Sequence, residues 1–207
     1  MSQGEAPRLA PVPLEARDDD VRAALVTGYG RRRAEQWCTN EQADPPMPNA
    51  VATMLHHPGI AGPWLAYNNV LFVSPSLDPR LRELMVLRVA WRTRAPYEWV
   101  QHVRIALEVG ITRDEIDVIA GLTDTAAWSP LETDLLDATD QLIDGYRVDD
   151  VTWARLAETL DERQLVEVVF VVGTYTCLAM AFNSFGLELD PDLDAVPAPE
   201  MPDVGAS

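Results

Sequence analysis

The chain has 207 residues, 47% of them hydrophobic, which is ample material for one core-building domain. Sixteen basic residues stand against 33 acidic ones, and the net charge of −17 excludes nucleic acid and anionic membranes as partners. The stretch from Met1 to Asp20 has no apolar run, so no leader peptide is expected, and Cys38 and Cys177 form neither a CxxC nor a metal-binding spacing.

Residues 1–17, rich in proline, alanine and charge, read as a flexible arm. Asp18 to Asp20 offer caps for a helix running to about Trp37, and Arg31-Arg32-Arg33 read as the solvated end of a helix. Pro45 and Pro46 bar a helix over 39–48. Pro48-Asn49 opens an apolar helix through His56, Pro58-Gly59 breaks it, and a short helix follows from Pro63 to Phe72. Asp78 caps the next helix, with Pro79 at a position where a missing N–H costs nothing, and it runs to about Arg92. Pro96 starts another, ended at Gly110. Thr112 with Glu115, and Ser129 with Glu132, are capping boxes for helices to Ala120 and to about Tyr146. A helix over 149–160 follows, and Asp161 with Gln164 opens a last one that ends near Gly186. Its apolar run from Leu165 to Phe182 is interrupted by Glu167 and Gly173, so it reads as a buried helix rather than a membrane span. No stretch alternates with period two. The expectation is an all-α helical bundle: one domain over 18–189, between the arm and a flexible tail at 190–207.

Three residues carry the chemistry. Glu83 shares a helical stripe with Val86, Leu87 and Ala90, and a carboxylate among apolar neighbours needs a partner. Glu98 and His102 are one turn apart on the apolar border of the next helix. If the two helices pair as a hairpin, Glu83, Glu98 and His102 converge. Such a set suits proton transfer, because histidine titrates near neutrality and one carboxylate beside another has a raised pKa. The plain alternative is a buried hydrogen-bonding glutamate beside an ordinary i,i+4 pair.

The segment 80–121, RLRELMVLRVAWRTRAPYEWVQHVRIALEVGITRDEIDVIAG, resembles the core motif of the carboxymuconolactone decarboxylase / alkylhydroperoxidase D (AhpD-like) superfamily. That pattern has a Glu, eleven residues, Cys-x-x-Cys, three residues and a His. Glu83 and His102 match its ends with the spacing of 19 kept, while Ala95 and Glu98 occupy the two cysteine positions. Gly110 to Ile116 match the turn and short helix that close the motif, and flanking pieces agree more loosely. The resemblance implies an AhpD-like bundle, a small-molecule substrate and assembly with itself as a homo-oligomer, dimer to hexamer. Without the cysteine pair it implies no thiol peroxidase chemistry. What remains is acid–base work of the decarboxylase kind on a small organic acid or lactone. His102 would be the general acid/base, Glu98 its partner or a second acid, and Glu83 an orienting carboxylate.

Other features read more plainly. Cys38 and Cys177 read as buried free thiols in a reducing cytoplasm. His56-His57 point about 100° apart and make a poor metal site, and a metal site from Glu83, Glu98 and His102 would lack a second histidine. Arg80, Arg82, Arg88 and Arg92 would hold a substrate carboxylate or pair with the chain's acids. Trp91 and Trp99 read as core or pocket wall. With no Gly-rich phosphate loop, nucleophile elbow or Walker pattern, no cofactor is expected. Two rivals stand beside the acid–base enzyme: an alkylhydroperoxidase or peroxiredoxin-like antioxidant protein, and a non-catalytic binding or assembly member of the family. A dry, closed site around His102 would favour the latter, and an open pocket would favour an enzyme.

Overall fold

The structure, a computed structural model, describes residues 6–124, 128–193 and 195–201. Among these, all regular structure is helical: a 3-10 turn at Leu14–Ala16 and helices α1 (Asp19–Thr39), α2 (Asn49–Met54), α3 (Pro58–Phe72), α4 (Pro79–Arg92), α5 (Pro96–Glu108), α6 (Arg113–Ile119), α7 (Pro130–Gly145), α8 (Asp150–Ala157) and α9 (Glu162–Phe185). Most of the starts read from the sequence carry the expected caps. Asp18 accepts from Val21 N–H and Asp78 from Arg80 N–H, and the helix read without a cap is capped by Asp149, which accepts from Thr152 N–H. The boxes Thr112/Glu115 and Ser129/Glu132 are closed in both directions, and Asp161 and Gln164 likewise exchange hydrogen bonds.

The chain divides into two compact units: residues up to Ser74 with Ser184–Asp190, and Pro75–Asn183 with the residues from Pro191 on. In the first unit α1 packs on α3. Their approach is set by glycines: a Cβ on Gly28 would lie 2.7 Å from Leu65 Cβ, and one on Gly62 would lie 3.3 Å from Ala24 Cα. Two differences from the sequence reading occur here. The Pro58-Gly59 pair opens a helix instead of separating two, because His57 Nδ1 accepts Ile60 N–H and Pro58 takes the first helical position. That helix then runs straight through Pro63. In α1, Gly30 adopts φ 76°, so Arg31-Arg32-Arg33 open a second helical segment rather than ending one. Part of the expected arm lies on this unit, with Val12 buried and its N–H bonded to Ala52 O. Residues 1–5 and 202–207, the outer parts of the arm and tail, lie outside the described residues.

In the second unit α4 packs against α5 and α7, and α7 against α8. Its core joins Leu84, Leu87 and Ala90 of α4 to Trp99, Val103 and Ala106 of α5 and to Ile116 and Ile119 of α6. Trp91 meets Trp99 near the turn and Glu83 meets His102 farther from it, the order of an antiparallel hairpin. The turn is closed by Ala95 N–H to Ala90 O, with Arg94 left-handed at φ 52°. Glu167 of α9 is buried and accepts the N–H groups of Ser76 and Leu77, which fixes the approach to α4. The tail also meets this unit: Trp99 Nε1 donates to Pro199 O, and Arg104 pairs with Asp192.

Candidate active site

The hairpin brings Glu83 of α4 against His102 of α5, with Nδ1 to Oε2 at 2.6 Å. Glu83 is wholly buried and its other oxygen receives Nε and Nη2 of Arg82 at 2.9 and 2.8 Å. Burial works against its charge, yet His102 and Arg82 together outweigh it and hold the carboxyl below the usual range. An ionised carboxylate only accepts, so Nδ1 carries the proton of this bond and Nε2 is the ring nitrogen left for other work.

Glu98 is the opposite case. It is 1% exposed, and neither carboxyl oxygen has a hydrogen-bond partner. Burial, reinforced by the Glu83 charge, pushes its pKa well above the ordinary value and favours the protonated acid. The i,i+4 spacing predicts a Glu98–His102 pair. Instead the imidazole turns to Glu83, and Glu98 stands alone beside it.

One aromatic group of the site escaped the sequence reading. Tyr175 of α9 is buried with its ring edge-on to His102, the centroids 4.9 Å apart, and burial raises its hydroxyl pKa. The signal available was a hydroxyl inside an apolar helix, which has no fixed spacing to the motif. Phe182, two turns on, packs edge-on against Tyr97 at 5.5 Å, and Asn183 donates to Thr93 O.

The four arginines of α4 pair with acids of the chain. Arg80 bridges Glu115 and Glu132, Arg82 holds Glu83, Arg88 holds Asp140, and Arg92 holds Asp140 and Asp144. Trp91 and Trp99 form a tilted pair at 5.0 Å within the core cluster. Both cysteines are free, but only Cys38 is buried; Cys177 is exposed on α9, contrary to expectation, because its position falls on the outward side of the helix. Among the described residues no group of three or more His, Cys, Asp or Glu side chains is arranged to hold a metal. His56 contacts Ala10 O through Nε2, and with His57 it lines an open groove of about 630 Å³ in the first unit that contains none of Glu83, Glu98 and His102.

Residues 58–141 match the carboxymuconolactone decarboxylase family. No curated protein matches the sequence. The fold is similar to the AhpD core of an uncharacterised peroxidase-related protein from Ralstonia eutropha JMP134, with a TM-score of 0.71 and 18% identity, over 91% of this chain and 96% of that one. It is similar to an uncharacterised peroxidase-related protein from Silicibacter sp. TM1040, with a TM-score of 0.73 and 12% identity, over 94% and 98%. A variant of the debrominase Bmp8 in complex with 2,3,4-tribromopyrrole is also similar, with a TM-score of 0.70 and 11% identity, over 94% and 97%. At these identities the likeness is one of fold. Together the matched segment, which contains Glu83, Glu98 and His102, and the fold of these neighbours fit the AhpD-like, carboxymuconolactone decarboxylase superfamily.

Proposed function

We propose that this protein is a carboxymuconolactone decarboxylase-like enzyme that moves protons on a small organic acid or lactone, a lyase or isomerase in type. One observation carries the reading: two buried carboxyls of one site have opposite surroundings, Glu83 bonded to His102 and Arg82, which lower its pKa, and Glu98 without a hydrogen-bond partner, its pKa raised by burial. Environments that push the pKa values of neighbouring groups apart supply an acid and a base at one pH. In this reading Glu98 delivers a proton, His102 receives one at Nε2, and Glu83 orients the imidazole and stabilises its charged form. Glu98 oxygens without partners suit contact with a substrate, which would satisfy them.

The closure of the site favours a second reading, a non-catalytic binding or assembly member, since Glu83, Glu98 and Tyr175 have almost no exposure and His102 is 7% exposed. One experiment separates the readings. The purified full chain is offered a panel of small lactone acids in D₂O, and solvent deuterium uptake and carbon dioxide release are followed. The acid–base enzyme exchanges or decarboxylates at least one of them, and His102→Gln and Glu98→Gln each lower the rate by about 10²-fold or more. No exchange on any acid supports the scaffold. Peroxide consumption with a dithiol, abolished by Cys177→Ser, would instead restore the thiol chemistry and remove both.

A further inference from the structure

Helix α4 carries four arginines, and three of them do ordinary work. Arg80, Arg88 and Arg92 are partly exposed, and their acids stand on α6 and α7, so each pair ties one helix to another. Arg82 differs on both counts. It is 3% exposed, and the acid it holds, Glu83, is its neighbour on the same helix. Neighbours in a helix point about 100° apart, so the guanidinium must wrap round the turn to arrive. This ion pair crosslinks nothing; its work falls on Glu83. Nε and Nη2 of Arg82 both reach Oε1, at 2.9 and 2.8 Å, while Oε2 is left to His102 Nδ1 at 2.6 Å.

A wholly buried carboxylate needs a positive charge beside it. Glu98, one turn away on α5, and Tyr175, edge-on to the ring from α9, are an acid and a phenol and bring none. Without Arg82, the charge would have to be a proton held by the Glu83–His102 pair itself. That proton has two places to rest. On the imidazole it makes an imidazolium, with both ring nitrogens protonated. On Glu83 it makes a carboxylic acid that donates to Nδ1, and the ring hydrogen then sits on Nε2. Both cases end with Nε2 protonated and unable to accept.

We propose that Arg82 is a positioning residue of this site: it supplies the positive charge that Glu83 needs, and so leaves the imidazole neutral, with its hydrogen on Nδ1 and Nε2 bare. It touches no reacting atom and acts through Glu83. Its effect on turnover rests on the acid–base reading of the site, whereas the protonation pattern needs no substrate.

Nitrogen-15 NMR of the full chain, labelled in histidine, reads the ring nitrogens at about pH 8, above the unperturbed histidine value of about 6.5. His102→Gln assigns the His102 signals against those of His56 and His57. Wild type should show Nδ1 protonated and Nε2 bare. In Arg82→Met, Nε2 should be protonated; Arg82→Lys keeps the charge and should restore the bare nitrogen. On a lactone acid that wild type turns over, Arg82→Met should lower kcat by about 10²-fold with KM nearly unchanged, and Arg82→Lys should recover most of it. Where Arg82→Met does not fold, adding Glu83→Gln should restore folding, since neither charge of the pair then remains. A bare Nε2 in Arg82→Met overturns the proposal, as does failure of the double variant to fold. So does a wild-type His102 with both nitrogens protonated at that pH, a result that needs no variant. The expected nitrogen pattern without turnover of any acid would keep Arg82 in its role and remove the acid–base reading instead.

Discussion

Glu98 stands one helical turn from His102 and shares no hydrogen bond with it. Sequence spacing places two residues on one face, but it does not choose a rotamer, and an imidazole within 2.6 Å of an ionised carboxylate has a stronger partner there. The raised pKa of Glu98 has a consequence for stability. Its folded pKa is raised, so no penalty exists below the unfolded value of about 4.3, where both states are protonated. As pH climbs from there toward the raised folded value, the unfolded chain ionises first and stability is lost. Glu98→Gln removes that loss. Urea titrations of wild type and variant should therefore diverge steadily above about pH 4.3, with the variant increasingly the more stable. Glu83 has the opposite sign, since its depressed pKa gives stability that fades as pH falls through the folded value. A difference between wild type and Glu98→Gln that is flat across pH would mean that Glu98 is ionised or paired in the folded protein.

At the scale of elements, starts were more legible than interruptions. Asp18, Asp78, Thr112 and Ser129 cap the helices their local sequence announces, because a cap is a contact between neighbours in the chain. Pro58 misled, because the same residue ends one helix or begins another according to what caps it, and the cap here is a histidine ring. The kink at Gly30 and the inward turn of Tyr175 depend on packing that local sequence does not encode. The crossing of α1 and α3 makes a firm prediction. Gly28→Ala should gain about 1 kcal/mol in helix propensity, yet its Cβ would meet Leu65 Cβ at 2.7 Å, an atom that cannot swing aside. The net effect should be destabilising by about 1–2 kcal/mol, read as a lower melting temperature. An unchanged or raised melting temperature would mean that the two helices are not in such close contact.

Across the whole molecule, the fold class and the Glu83–His102 frame were legible for a common reason: both rest on short-range periodicity and a fixed interval of 19 residues. Tyr175 lies in a helix far along the chain, and its place beside His102 is a tertiary fact. That difference in chain distance also orders events in time. Joining Glu83 to His102 closes a short loop, whereas joining His102 to Tyr175 closes one nearly four times longer, at about 1 kcal/mol more in chain entropy. The α4–α5 hairpin should therefore be formed at the folding barrier and α9 should dock after it. In stopped-flow chevrons, Val103→Ala should slow folding, while Tyr175→Leu should leave the folding rate nearly unchanged and speed unfolding. Equal effects of both on the folding rate would mean that the helix docks before the barrier. On this order the Glu83–His102 pair exists before the aromatic wall that encloses it, so the imidazole is wet during folding and dry only at the end.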